Sequence, residues 1–148
     1  MLIFFIIFAY SNYFFMKHKG SVTEIYKERD EIVLPALYRI AAAKAVYPTT
    51  LRELCTIVAK LPTDCHYISD DAAFAFIKGR KYHRGERHFH SPYKHRLYES
   101  LWQSFCEIDK EYPEERLQTK ILRALRMPAP CVGLTPNIIQ IKLNKRKL

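Results

Sequence analysis

The chain has only four glycines among its 148 residues, and it contains no internal repeat and no low-complexity tract. With so little glycine, its breaks fall mainly at prolines, which stand at Pro35, Pro48, Pro62, Pro92, Pro113, Pro128, Pro130 and Pro136. Because proline lacks a backbone N–H and clashes with the preceding helical turn, each of these positions favours a helix end or a helix start. The sequence therefore predicts short helices separated by proline stops.

Motifs that mark common catalytic sites are also missing, since there is no G-x-S-x-G, no P-loop and no GxGxxG. The four cysteines form no C-x-x-C pair and match no zinc-ribbon spacing. Cys55 and Cys106 fall within apolar helical patterns, where cysteine packs as a small hydrophobic residue. A metal site formed by Cys55, Cys65 and His66 with one further ligand is the alternative. We predict a protein that is not an enzyme and that has no cofactor and no metal.

Acidic residues are unevenly distributed. The stretch from Leu117 to Leu148 contains none, whereas the chain as a whole carries a net charge of +9 and has a pI of about 9.4. Such an excess of positive charge favours an anionic partner. Apolar residues make up 49% of the sequence, which is enough for a packed core and argues against a wholly disordered chain.

Positive charge is densest from Lys78 to Arg96, where seven Lys or Arg and four histidines accompany the single acid Glu86. A segment so poor in aliphatic residues cannot bury itself, so we expect it to contact phosphate, an acidic protein or a lipid head group. Its candidate partner-binding residues are Lys78, Arg80, Lys81, Arg84, Arg87, Lys94 and Arg96.

Local patterns predict the helices in order. One opens over Ser21–Glu31, and Pro35 either kinks it or starts the next helix, over Ala36–Val46. Thr50 and Glu53 form a capping box before a helix over Leu51–Leu61. Ser69 can cap a helix from Ala72 to about Lys81.

Two further helices are predicted to form a C-terminal hairpin. The first follows Ser91-Pro92 and has an apolar stripe made of Leu97, Leu101, Phe105, Ile108 and Tyr112. Pro113 stops it, and Glu114-Glu115 begins the second, whose short connection implies an antiparallel pair. The fold class expected is all-α, a small helical bundle of about five short helices with this hairpin and a basic tail.

Beyond Met127, the Pro-Ala-Pro sequence ends helical structure, and Ile138, Ile139, Ile141 and Leu143 suggest one extended strand. The predicted organisation is an apolar segment over 1–20, a helical domain over 21–127 and an extended basic tail over 128–148.

Leu37-Tyr38-Arg39 opens one of these helices, a second helix follows, and Ser69-Asp70-Asp71 then leads into Phe76-Ile77-Lys78-Gly79-Arg80-Lys81. In this order the region from about Glu28 to His83 resembles the LYR-motif family of small mitochondrial helical proteins. A second segment, Leu97-Tyr98-Glu99, resembles the same motif with Glu99 in place of the arginine, and both assignments are kept as alternatives.

The resemblance implies a three-helix scaffold that binds acidic acyl carrier protein. It implies an accessory subunit or assembly factor of a mitochondrial complex, acting in respiration, iron–sulfur assembly or the mitochondrial ribosome. Leu37, Tyr38 and Arg39 would carry the motif. Arg39 and the cluster Lys78, Arg80, Lys81 and Arg84 would then meet the acids and the phosphate of the carrier.

An RNA-binding or ribosomal protein is the leading alternative. Lys and Arg neutralise phosphates, and Tyr82, Phe89 and Tyr93 could stack on unpaired bases. The acid-free C-terminus would follow an RNA groove. The sequence carries no RRM, KH, zinc-finger or OB signature, so specificity would come from shape.

The first sixteen residues are almost wholly apolar and are followed by Lys17-His18-Lys19. This run is a little short for a membrane span, and it lacks the charged start and cleavage site of a good signal peptide. We keep three alternatives: a short membrane anchor, an uncleaved targeting segment, or an apolar helix that docks on a partner. A membrane-anchored basic protein is therefore the second alternative function.

Overall fold

The computed structural model describes residues 22–47, 49–82 and 89–145. Its helices are α1 (Val22–Glu28), a π-helical turn (Arg29–Val33), α2 (Leu34–Lys44), α3 (Leu51–Lys60), α4 (Asp70–Lys81), α5 (Pro92–Glu111), α6 (Leu117–Leu125) and α7 (Pro136–Lys145). These residues contain no strand, only an isolated bridge between Thr63 and Ala129. The prediction of a small all-α bundle is confirmed. The predicted segment 1–20 lies outside the described residues.

The first helical stretch runs from α1 through the π-helical turn into α2 without leaving right-handed helical dihedral angles. The Leu34 N–H donates to the carbonyl of Arg29, five residues back. This wider turn accommodates Pro35, whose ring would clash with a carbonyl four residues before it in an ordinary helix. Pro35 therefore lies in the first turn of α2, at the end of a π-helical turn that the sequence did not predict.

Local capping determines where three other helices begin. The capping box is present: the Thr50 hydroxyl accepts from the Glu53 N–H at 3.2 Å, and the Glu53 carboxylate accepts from the Thr50 N–H at 3.3 Å. Ser69 accepts from the Ala72 N–H, and Ser91 accepts from the Lys94 N–H. These bonds satisfy N–H groups that have no partner within the helix. They confirm the predicted caps of α3, α4 and α5, although α4 begins at Asp70, two residues before the predicted Ala72.

Two groups of buried side chains form the core. The first joins α1, α2, α3 and α7, and the second joins α4, α5 and α6. The predicted stripe of α5 is buried in the second group at Leu97, Leu101 and Phe105. α6 packs on α5 and completes the predicted hairpin.

The prediction of an extended strand near the C-terminus is wrong, because Pro136–Lys145 is the helix α7, packed on α3. Ile139 and Leu143, four residues apart, are buried in the first core group. β-Branched residues favour strands only weakly, and tertiary burial overrides that preference. The Thr135 hydroxyl accepts from the Ile138 N–H and caps the helix, whose first turn contains Pro136.

Candidate binding surface

Three predicted binding residues, Lys78, Arg80 and Lys81, occupy the last turn of α4. Cations are favourable there because the carbonyl end of a helix carries negative partial charge. The Lys78 ammonium lies 5.1 Å from the centre of the Phe74 ring, and the Lys81 ammonium lies 5.8 Å from that of Phe105. An aromatic face attracts a cation but leaves its charge uncancelled.

Arg80 differs from its two neighbours because it has a carboxylate partner. Its guanidinium lies 4.8 Å from the centre of the Trp102 ring and forms an ion pair with Glu99. Both ion-pair partners are partly exposed, so we expect solvent to screen this pair. Glu99 and Trp102 belong to α5, and they therefore fix the end of α4 against it.

The other predicted binding residues with described positions, Lys94 and Arg96, lie near the start of α5 and are exposed. The first turn of this helix contains no acid. Cations at the N-terminal end of a helix face positive partial charge, which is unfavourable. In residues 22–47, 49–82 and 89–145, no carboxylate forms an ion pair with Lys78, Lys81, Lys94 or Arg96.

Phe89 connects the two helix ends. Its ring stacks on Tyr98 of α5 at 4.5 Å between centres and lies 6.2 Å from Phe76 of α4. The Lys94 ammonium lies 5.5 Å from the centre of the same ring. Phe89 thus packs between α4 and the first turns of α5. We use the name cationic surface for the five cations at these two helix ends (Lys78, Arg80, Lys81, Lys94 and Arg96). Arg84 and Arg87 lie outside the described residues.

The three aromatic residues expected to stack on bases have different surroundings. Phe89 is packed among protein rings, and Tyr93 is half-buried against the first core group. Tyr82 follows the last turn of α4 and is 55% exposed. Tyr82 therefore offers the most accessible ring of the three.

The LYR-like triplet lies on another part of the molecule. Leu37 is buried in the first core group, Tyr38 packs partly against it, and Arg39 is exposed. Their helix, α2, packs on α3 and α7, whereas the cationic surface is built on the second core group. We therefore treat Arg39 as a separate candidate contact.

Much of the positive charge of the acid-free C-terminal stretch is paired within the fold. Lys120 donates to Asp109 at 2.6 Å and Lys142 to Asp30 at 2.7 Å, and Arg123 forms two hydrogen bonds with Glu115. The hydrogen bond from Lys120 lowers the pKa of Asp109, and that with Glu115 raises the pKa of Arg123. Sequence reasoning missed these pairs because their partners lie far away in the chain or across a turn.

The structure gives no support to the alternative metal site. Cys55 and Cys65 lie in the first core group, and the described residues contain no group of three potential His, Cys, Asp or Glu ligands. Burial raises the pKa of the thiols of Cys55, Cys106 and Cys131, which lowers their reactivity as nucleophiles.

His66 is fully buried, and its Nε2 lies 3.0 Å from the hydroxyl oxygen of Ser100. Its Nδ1 has no hydrogen-bond partner among the described residues. Burial lowers the pKa of His66 to about 4, although backbone groups at the end of α6 act in the opposite direction. His66 is therefore a neutral core residue at physiological pH.

No helix within residues 22–47, 49–82 and 89–145 combines the length and the hydropathy that a membrane span requires. Comparisons of the chain with protein-family models, with curated proteins and with solved structures find no match. The resemblance to the LYR-motif family stays a prediction.

Proposed function

We propose that this chain is a non-enzymatic binding subunit whose cationic surface receives an acidic protein partner. The observation that carries the proposal is the start of α5, where Lys94 in the first turn faces the positive end of its own helix and Arg96 follows in the second turn, both exposed. The placement of Lys94 in the first turn costs about 0.3–1 kcal/mol of stability. A carboxylate supplied by a partner would offset that cost.

The surroundings of the other cations support the same proposal. Lys78 and Lys81 rest on aromatic rings, which hold an ammonium group in place without cancelling its charge. The C-terminal cations Lys120 and Lys142 are instead paired with carboxylates of the chain itself. Among the described residues, Lys78, Lys94 and Arg96 thus have no carboxylate at ion-pair distance, whereas Lys81 acts at longer range on Asp109, whose main partner is Lys120.

An acidic protein fits this surface better than single-stranded RNA does. Stacking needs aromatic faces that are open to bases, and Phe89 is packed against Phe76 and Tyr98. The C-terminal helix that would have followed an RNA groove packs on α3. The exposed ring of Tyr82 beside the α4 cations favours RNA as the second candidate.

Capture from native cells tests the proposal. The immobilised protein should retain acidic proteins after RNase treatment, with retention that falls as salt is raised. Arg96→Glu should reduce retention at least several-fold. Lys110→Glu is the matched control, since Lys110 is exposed in the last turn of the same helix, and it should retain the same proteins as the wild type.

Loss of all retained protein after RNase treatment would favour RNA and overturn the proposal. Equal losses of retention in Arg96→Glu and Lys110→Glu would show that the overall charge of the protein, not the cationic surface, governs retention.

The narrower proposal is an accessory or assembly subunit of a mitochondrial complex that binds acyl carrier protein. It rests on the LYR-like triplet and on the exposure of Arg39. Retention of purified acyl carrier protein should require its acyl-phosphopantetheine arm, and Arg39→Ala or Lys81→Glu should abolish this retention.

The membrane-anchored alternative depends on residues 1–16, and carbonate extraction of cell membranes tests it directly.

A further inference from the structure

A cleft of about 350 Å³ opens between the two core groups, and its described lining residues do not belong to α4. Its walls come from α1 and the π-helical turn, from α5, from the loop before α7, and from α7 itself. A volume of this size suits a small organic molecule better than a bare inorganic anion.

Among the described residues that line the cleft, three are cations, Arg29, Lys94 and Lys142, and one is a carboxylate, Asp30. The Asp30 oxygens accept from Arg29 Nε at 2.9 Å and from Lys142 Nζ at 2.7 Å. One carboxylate cannot cancel three positive charges, so the cleft keeps an excess that matches a dianion. The Arg29 side chain is only 11% exposed, and reduced contact with water strengthens its attraction for an anion.

The Arg29 guanidinium is also held in place by its neighbours. Its guanidinium carbon lies 4.7 Å from the centre of the Tyr26 ring, which supports one face of the group. Its Nε donor is used by Asp30, whereas a guanidinium has five N–H donors in all. The remaining donors can bind two oxygens of one phosphate side by side.

Two unusual backbone features border the same cleft. The π-helical turn begins at Arg29, and such turns occur frequently at functional sites. Gly133 has a φ of 83°, and a Cβ added to it would lie 2.5 Å from Leu97 Cδ2. Any side chain at position 133 would therefore be strained and would collide with the wall of the cleft.

We propose that this cleft binds a small organic phosphate monoester. The phosphate contacts Arg29, Lys94 and Lys142, and the organic group packs on the apolar side chains of Leu97, Val132 and Leu134, which also line the cleft. A phosphate monoester carries close to two negative charges at neutral pH, which matches the excess of the cleft.

Titration calorimetry of the full chain with phenyl phosphate tests the proposal. Phenyl phosphate should bind with 1:1 stoichiometry, inorganic phosphate should bind at least several-fold more weakly, and phenol should give no measurable heat. Equal affinities for phenyl phosphate and inorganic phosphate would show a site for the free ion and overturn the assignment of an organic ligand. No binding of either anion would overturn the site itself.

Variants identify the cleft as the place of binding. Lys142→Gln should weaken the binding of phenyl phosphate about tenfold, which corresponds to about 1.4 kcal/mol of binding free energy. Lys145→Gln makes the same charge change on an exposed residue of the same helix that is not part of the lining, and it should leave the affinity unchanged. Asp30→Asn removes the opposing carboxylate and should tighten binding several-fold.

Equal loss in the two lysine variants, or weaker binding in Asp30→Asn, would overturn the site. If Lys142→Gln fails to fold, as judged by its circular dichroism, Asp30→Asn alone still decides the question.

Lys94 is the one residue common to the cleft and the cationic surface. Because Lys142 and Asp30 belong only to the cleft and Arg96 only to the cationic surface, failure of one proposal is distinguishable from failure of the other.

Discussion

His66 shows how one buried residue links the stability of this fold to pH. The segment that carries it hydrogen-bonds to the end of α6, through the His66 N–H and the Leu125 carbonyl at 2.9 Å. The ring is thereby held away from water, and protonation would place a charge in the core without an acidic partner. The sequence marked His66 only as an alternative metal ligand, because its burial depends on a contact between distant parts of the chain.

We expect the protein to lose stability as pH falls from about 6.5 to about 4. The pKa of His66 is lowered from 6.5 to about 4 in the folded state, so the unfolded chain binds the additional proton throughout this interval. The stability that neutral His66 contributes is fully present above pH 6.5, the pKa in the unfolded chain. It is lost as pH falls to about 4, the pKa in the folded state, and the total loss is on the order of 3 kcal/mol. Urea unfolding at a series of pH values measures this loss.

His66→Gln cannot be protonated and should remove most of the pH dependence between these limits, even if it lowers stability at neutral pH. His95→Gln is the control, since His95 is exposed, and it should keep the wild-type dependence. A His66→Gln protein whose stability still falls by the wild-type amount would exclude His66 as the cause.

At the scale of single helices, the sequence was sufficient where the determining contacts are local. Thr50 and Glu53 are three residues apart and form the capping bonds that their types predict. The C-terminal helix could not be predicted in the same way, because Ile139, Ile141 and Leu143 suit a strand as well as they suit a helix. The contact of α7 with α3 decides between the two.

Paired substitutions distinguish a helix from a strand at this position. Ile139 and Ile141 would lie on one face of a strand and behave alike, but in α7 Ile139 is fully buried and Ile141 is 51% exposed. Ile139→Ala should therefore cost about 2–5 kcal/mol, whereas Ile141→Ala should change stability by about 0.5 kcal/mol or less. Chemical denaturation measures both, and similar losses in the two variants would argue against the helix.

Across the whole molecule, electrostatic character depends on which charges find partners inside the fold. Composition gave the net charge of +9 correctly, but it could not show that Lys120, Arg123 and Lys142 would be neutralised within the structure. The partners of those pairs lie far apart in the chain or on the two sides of a turn. The cations of the cationic surface were visible in the sequence because they are close together in the chain, on both sides of the segment 83–88; their role in binding stays a prediction.

This distribution of charge predicts the response of the fold to salt. Repulsion among the unpaired cations acts over long distances and is screened when ionic strength rises from about 0.01 M to about 0.15 M. The Lys120–Asp109 pair, at 2.6 Å and with a lysine side chain that is 6% exposed against 41% for the aspartate, should be screened less than these long-range repulsions. We therefore expect the melting temperature to rise over this interval, as measured by circular dichroism in sodium chloride.

Arg96→Glu separates repulsion among the unpaired cations from attraction within the ion pairs. It lowers the charge of the cationic surface by two units and leaves the C-terminal ion pairs intact. It should raise the melting temperature at low salt, because it replaces repulsion among the cations of the cationic surface by attraction, and it should reduce the rise in melting temperature that added salt produces. Lys145→Glu makes the same change in net charge near the end of α7, where an anion faces the negative end of the helix. Lys145→Glu should reduce the rise in melting temperature that added salt produces, but it should not raise the melting temperature at low salt. A wild-type protein that is destabilised by salt would mean that attraction within the ion pairs outweighs repulsion on the cationic surface.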